Sequence, residues 1–362
     1  MKIPVLITRT VIASAATLLL ASCGGERIND PVTVTEGSLS TAITQALDYS
    51  VIPAVNAFNT ASNNLLSASE AFCSAPSATL LSNAQAQWKT TATAWFRLAP
   101  YRFGPLNDDP VLPEYIYIDS LRLRGTDYTA TVRTDIETAI SDSSTLDDAY
   151  FAAKNFQKVG LLALEITLFE TVDTKSTTTS DIVTEFTNTE RKCQVLTGLA
   201  TQLSNRATRV SEQWNNDYDE TGNSYRTTFI AGELSDGTEP LTLLITSVQE
   251  YLDYLQQRDV VNITAQKAGI AWPLVEASIN EIEQLFSGTD TTTVSFRALM
   301  QTSGYQSEIS AVDDNIQAAY DAITAKDSVL FSVAAAALDG NFKREIPDGL
   351  EVELGINFTD GD

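Results

Sequence analysis

Apolar residues return every three or four positions through most of this chain, and that spacing commits it to helices. In residues 77–98, "SATLLSNAQAQWKTTATAWFRL", Leu81, Trp88 and Trp95 fall seven apart and so share one helix face. That stripe reads as core rather than as a platform for a ligand. The same periodicity marks helices over 39–72, with Pro53 as a kink or turn, and over 128–141, 145–170, 180–214, 239–258, 273–286, 304–325 and 327–338. Only 17 glycines and 11 prolines occur in 362 residues, too few for a turn-rich β fold. The expected class is all-α: helical-bundle subdomains at 39–214 and 224–362, divided by the polar stretch "NNDYDETGNS". That stretch lacks the glycine placement and closing Glu of a calcium loop. Residues 99–127 carry four prolines and read as a long irregular loop after the second helix, with "EYIYIDSL" as a short strand. The last segment, "IPDGLEVELGINFTDGD", has no helical pattern.

The N-terminus reads as an address. "MKIPVLITRTVIASAATLLLASCGG" begins with Lys2 and Arg9, continues through an apolar run too short to span a bilayer, and ends in Leu20-Ala21-Ser22-Cys23. This resembles the bacterial lipoprotein signal. Residues 1–22 would be removed, and the Cys23 thiol would carry the lipid that anchors the protein. Gly24, not Asp, follows the cysteine, which points to the outer membrane, facing the periplasm or the cell surface. Residues 23–38 read as a flexible tether. Lipidation leaves Cys73 and Cys193; in an oxidising compartment the simplest reading is a disulfide, with two free buried thiols as the alternative.

The net charge is −24, and losing residues 1–22, whose only charges are Lys2 and Arg9, would take it to −26. Such a surface repels nucleic acid, anionic headgroups and anionic polysaccharides. The sequence contains no histidine. That excludes Ser-His-Asp and Cys-His catalysis and every imidazole metal ligand. What remains available is carboxylate, Lys, Tyr or Ser chemistry, or oxygen coordination of a hard cation such as iron or calcium.

One acid stands apart. In "KVGLLALEIT" (158–167), Glu165 has Leu161 and Leu162 behind it and Leu168 and Phe169 ahead, all on its own helix face. A carboxylate so placed is at least partly buried and needs a cation, a set of hydrogen bonds, or a proton.

Several stretches resemble the imelysin-like lipoproteins. "QWKTTATAWFRLAPYRFGPL" (87–106) is similar to that family's Trp-rich helix and Arg-Phe-Gly-Pro turn. The segment around Cys73 and "RKCQVLTGLATQLSNR" (191–206) resemble its two cysteine-bearing helices. "WPLVEASINEIEQLFSG" (272–288), with Glu276, resembles its Pro-x-x-Val-Glu-Ser segment, and "LGINFTDGD" its C-terminal ending. The resemblance covers residues 39–362. The family signature is Gly-x-His-x-x-Glu; here Gly160 and Glu165 are kept and Leu162 stands at the histidine position. The resemblance implies two helical bundles with the motif near their interface, and a site region holding Trp95, Arg97, Arg102, Gly104 and Pro105. Arg102, or else Arg97, is then the expected partner of Glu165, and Gly160 would let another backbone approach closely.

The family is named for an insulin-cleaving metallopeptidase activity, and relatives occur in iron-regulated loci and iron-uptake components. Without histidine, the expectation is a non-catalytic, lipid-anchored ligand-binding protein linked to iron or another cation. An outer-membrane scaffold with an envelope protein partner is the alternative, and a metallopeptidase is disfavoured.

Overall fold

The computed structural model describes residues 33–120 and 126–352. Residues 1–32 with Cys23, residues 121–125 and residues 353–362, with the terminal "LGINFTDGD", lie outside the described residues. Every regular element among those described is helical.

Helix α1 (Glu36–Ala46) begins where Thr35 caps it. Thr35 Oγ1 accepts from the Ser38 amide at 3.2 Å, and Ser38 Oγ accepts from the Thr35 amide at 3.1 Å. The expected tether therefore gives way to helix at Glu36, not after residue 38. One π-helical turn, Leu47–Val51, then leads into α2 (Ile52–Ser74). Pro53 accounts for that turn. It has no N–H for the Tyr49 carbonyl, and its ring crowds that oxygen. The Tyr49 oxygen accepts instead from the Gln284 side chain at 2.7 Å. Pro53 thus widens one turn without ending the helix.

Helix α3 (Ala78–Leu98) is capped by Ser77 and buries Leu81, Trp88 and Trp95 together, as their spacing requires. The irregular region after it contains a 3-10 turn, Gly104–Leu106, and a short helix α4 (Glu114–Ile118). The strand expected at "EYIYIDSL" is replaced by α4: Pro113 starts the turn, and no strand among the described residues is there to pair with it.

Helix α5 (Thr129–Ser141) matches its expected span. The helix expected over 145–170 divides into α6 (Asp148–Ala152), a 3-10 turn at Phe156–Lys158, and α7 (Gly160–Phe169). The one expected over 180–214 breaks at Thr189 into α8 (Thr179–Asn188) and α9 (Glu190–Asn215). The second half supplies α10 (Tyr225–Ala231), α11 (Pro240–Gln257), α12 (Val260–Ile263), α13 (Ala271–Ser287), α14 (Phe296–Thr302), α15 (Gln306–Ala325), α16 (Ser328–Lys343) and α17 (Glu345–Leu350). The last corrects the non-helical reading of the C-terminal segment over 346–350 only, where Ile346, Pro347 and Leu350 turn inward together.

In the first half α2 packs against α3 and α9, and α7 sits among α3, α5 and α9. In the second half α16 packs between α11 and α15. Helix α13 lies against both α3 and α15, so it couples the two halves. All ten residues of α7 are buried. It is therefore the central rod of the first half, apolar all round rather than striped. Its first residue, Gly160, has φ +77°, and a Cβ there would lie 2.4 Å from the Ile118 carbonyl oxygen. The close backbone approach expected of Gly160 is realised against the end of α4.

Cys73 and Cys193 form a disulfide with Cα atoms 5.4 Å apart, closing a separation of 120 residues. Cys193 lies in the first turn of α9, not in mid-helix, because of the break at Thr189. Replacing both cysteines by Ser should lower unfolding stability by roughly 3–5 kcal/mol, read from guanidinium denaturation of the two proteins under the same oxidising conditions.

Candidate functional site

Glu165 is 3% exposed, and its partner is not an arginine. Its Oε1 accepts two successive backbone amides, Lys267 at 2.7 Å and Ala268 at 2.9 Å. These belong to the tight turn between α12 and α13. Ala265 takes the left-handed conformation at φ 51°, and the Gly269 amide closes back on the Ala265 carbonyl at 2.8 Å. The turn thereby aims two N–H dipoles at Oε1, meeting that oxygen without a countercharge in contact. Burial pushes the Glu165 carboxyl above its ordinary pKa, and the Ala268 and Lys267 amides hold it back.

Lys267 is gripped a second time. Its ammonium lies 3.1 Å from Glu170, the residue that ends α7. Arg133 of α5 donates to the same carboxylate through Nε at 2.5 Å and Nη2 at 2.8 Å. The Glu170 carbonyl accepts from the fully buried Lys192 of α9 at 2.9 Å, and Lys192 also pairs with Glu185. Burial would push Glu170 up, but the hydrogen bonds from Arg133 and Lys267 outweigh it and hold the carboxyl below its usual range. Burial pushes the Lys192 ammonium down, against the pull of Glu185 and Glu170. Glu165 and Glu170 together clamp the turn before α13 onto α7.

A cavity of about 20 Å³ adjoins Glu165, walled by Trp88, Asp119, Leu161, Leu162, Thr264 and others. By this measure one water needs roughly 10–15 Å³. Thr264 Oγ1 is buried there with no hydrogen-bond partner among the described residues, so one water suits it. Leu162 presents only carbon to this space. A hard cation does not fit. Among the described residues no three His, Cys, Asp or Glu side chains gather as a ligand set. One Glu165 oxygen is already used twice, and Asp119 Oδ2 accepts from Trp95 Nε1 at 3.2 Å.

The other expected site residues divide. Trp95 stands behind the cavity, holding Asp119. Arg97 pairs with Glu281 of α13 at 3.5 Å. Arg102, expected to meet Glu165, lies with its guanidinium 5.1 Å over the Tyr115 ring. Gly104 and Pro105 form the turn against α10, where a Cβ on Gly104 would strike the Tyr225 ring at 2.4 Å. Glu276 is exposed on α13 and does not line the cavity.

Sequence reasoning missed Glu170, Lys267 and Glu281. Glu170 was visible as a second acid ending the same apolar run. Amides in an unmarked turn carry no residue signal. Glu281 is 3% exposed where α13 meets α3. Its Oε1 accepts from the Tyr101 hydroxyl at 3.0 Å. Burial raises its carboxyl to about 7, against Arg97 and the Tyr101 hydrogen bond, and pushes the Tyr101 phenol well above its ordinary value.

Glu165→Ala leaves the buried Ala268 amide and the partly buried Lys267 amide without an acceptor and should cost roughly 2–4 kcal/mol in urea denaturation, whereas Glu165→Gln, which keeps a carbonyl acceptor, should cost less. Glu281 binds its proton more tightly folded than unfolded, so its ionisation weakens the fold. Its penalty is absent below the ordinary value of 4.5 and complete above about 7. The melting temperature should fall between about pH 5 and about pH 8, and Glu281→Gln should flatten that slope.

Compared with known proteins, residues 51–348 match the imelysin family. An imelysin-like protein from Psychrobacter arcticum 273-4 superposes with a TM-score of 0.64 at 14% identity, covering 90% of this chain and 100% of its own. A protein from Parabacteroides distasonis ATCC 8503 designated an iron-regulated protein A precursor superposes with a TM-score of 0.63 at 14% identity, covering 88% and 96%. At that identity the likeness is one of fold. Among curated proteins none matches the chain in sequence.

Proposed function

Since the chain belongs to the imelysin family, we propose that it is a non-catalytic member: a lipid-anchored binding protein of a bacterial envelope whose signature glutamate has become a structural fastening. The observation that carries this reading is the occupation of Glu165. A metallopeptidase keeps an open metal position, a general base and a cleft that admits a peptide. Here the glutamate holds two backbone amides, Leu162 replaces the imidazole, and the adjoining void has the size of a water. The lipid anchor is supported by Leu20-Ala21-Ser22-Cys23 behind a basic start, and the outer membrane by Gly24. No helix among the described residues is long and apolar enough to cross a membrane.

The Parabacteroides neighbour is described as iron-regulated, which speaks of its expression rather than of a ligand. Iron comes to this chain as the first substance to test. No cation is placed at Glu165, because its surroundings do not supply the donors.

The test uses the full chain expressed in a Gram-negative host. Labelled palmitate should enter the protein and be lost in Cys23→Ser. The purified protein should give no metal-dependent cleavage of an unfolded protein substrate, and no calorimetric heat with Fe, Ca or Mg that Glu165→Gln removes. Cleavage abolished by chelator and by Glu165→Gln would overturn the reading.

A further inference from the structure

A cavity of about 410 Å³ lies between α1, the end of α10 and the start of α11, far roomier than the space beside Glu165. It falls within the range of small-ligand sites, roughly 300–1,000 Å³. Its lining is mixed, with Ser40 and Thr242 among apolar residues, but its charge is of one sign. Leu39 and Ile43 of α1, Leu241 of α11 and Val352 supply apolar walls. Glu36 stands on one bank and Glu239 on the other, both exposed. Among the described residues no Lys or Arg lines it.

Apolar walls with two acids and no base favour one kind of occupant. An anionic or purely apolar ligand would leave both carboxylates facing it uncompensated. A ligand carrying aliphatic groups beside a fixed positive charge satisfies both parts. The net charge of −24 adds long-range attraction for the same sign of ligand. The chain's own final residues, 353–362, continue from Val352, but they carry Glu353, Asp360 and Asp362 and no base, the wrong sign for this rim.

We infer that this groove is a binding site for a cationic amphiphilic peptide segment, with Lys or Arg at Glu36 and Glu239 and aliphatic side chains on Leu39, Ile43, Leu241 and Val352. The inference rests on the binding role proposed above and gives it a place. It is independent of Glu165, so its failure would leave the non-catalytic reading standing.

The test measures fluorescence anisotropy of a labelled, amidated Leu-Lys-Leu-Leu-Lys peptide with the full chain, beside the same peptide carrying Glu for Lys. The Lys peptide should bind and weaken as salt rises, while the Glu peptide should not bind. Glu36→Gln with Glu239→Gln should weaken binding at least about 10-fold, and Leu39→Ser should weaken it severalfold. The remote exposed variant Asp321→Asn, which removes one charge elsewhere, controls for general attraction and should leave binding unchanged. Three results would overturn the inference. They are equal binding of both peptides, equal losses in the double variant and the control, or binding that appears only when residues 353–362 are deleted. The last would make the chain's own end the occupant.

Discussion

The two amides of Lys267 and Ala268 meeting one oxygen of Glu165 are the interaction on which the rest of this structure depends. They join residues about a hundred positions apart and bring the approach to α13 down onto the central rod of the first half. An acid in an apolar helix is costly unless donors meet it, and a turn with two successive N–H groups supplies them to Oε1 without a countercharge in contact. The Oε1 atom is committed to that fastening. An oxygen already accepting two strong hydrogen bonds is poorly placed to bind a metal or take a proton from water.

Around that contact the charges are distributed unevenly. Glu170, buried at the end of α7, gathers Arg133, Lys267 and, through its carbonyl, Lys192. Helices α5 and α9 and the turn before α13 thereby converge on one residue. Removing one member of so buried a set strands the others, so a single substitution here costs more than the net worth of the pairs. Glu281 stands differently, on the seam between α3 and α13 with Tyr101 and the half-exposed Arg97. Less fully compensated, it is the acid whose proton is linked to the fold near neutral pH.

The helical class was legible because the Leu81, Trp88 and Trp95 stripe, and its counterparts along the chain, could bury one face only as helices. Gly160 was legible too, since an apolar run opening on glycine beside a buried acid called for close backbone contact. The errors have physical causes. "EYIYI" alternates like a strand, yet it follows Pro113 and has no strand beside it, so it closes into the turn of α4. The break at Thr189 carries neither glycine nor proline. Arg102 was a reasonable partner for Glu165 by charge, but backbone donors took that place, and they look alike at every residue except proline. A residue pattern shows that an acid needs partners and is silent about which backbone will supply them.

The most direct measurement of this account is hydrogen exchange at the Lys267 and Ala268 amides, followed residue by residue by NMR in the native protein and in Glu165→Ala. Both amides should be strongly protected in the native chain, and in the variant they should lose that protection while those of α7 keep theirs. If both exchange at the rate of an open surface turn in the native protein, Glu165 does not hold the two halves together, and the structural reading of the signature glutamate is wrong.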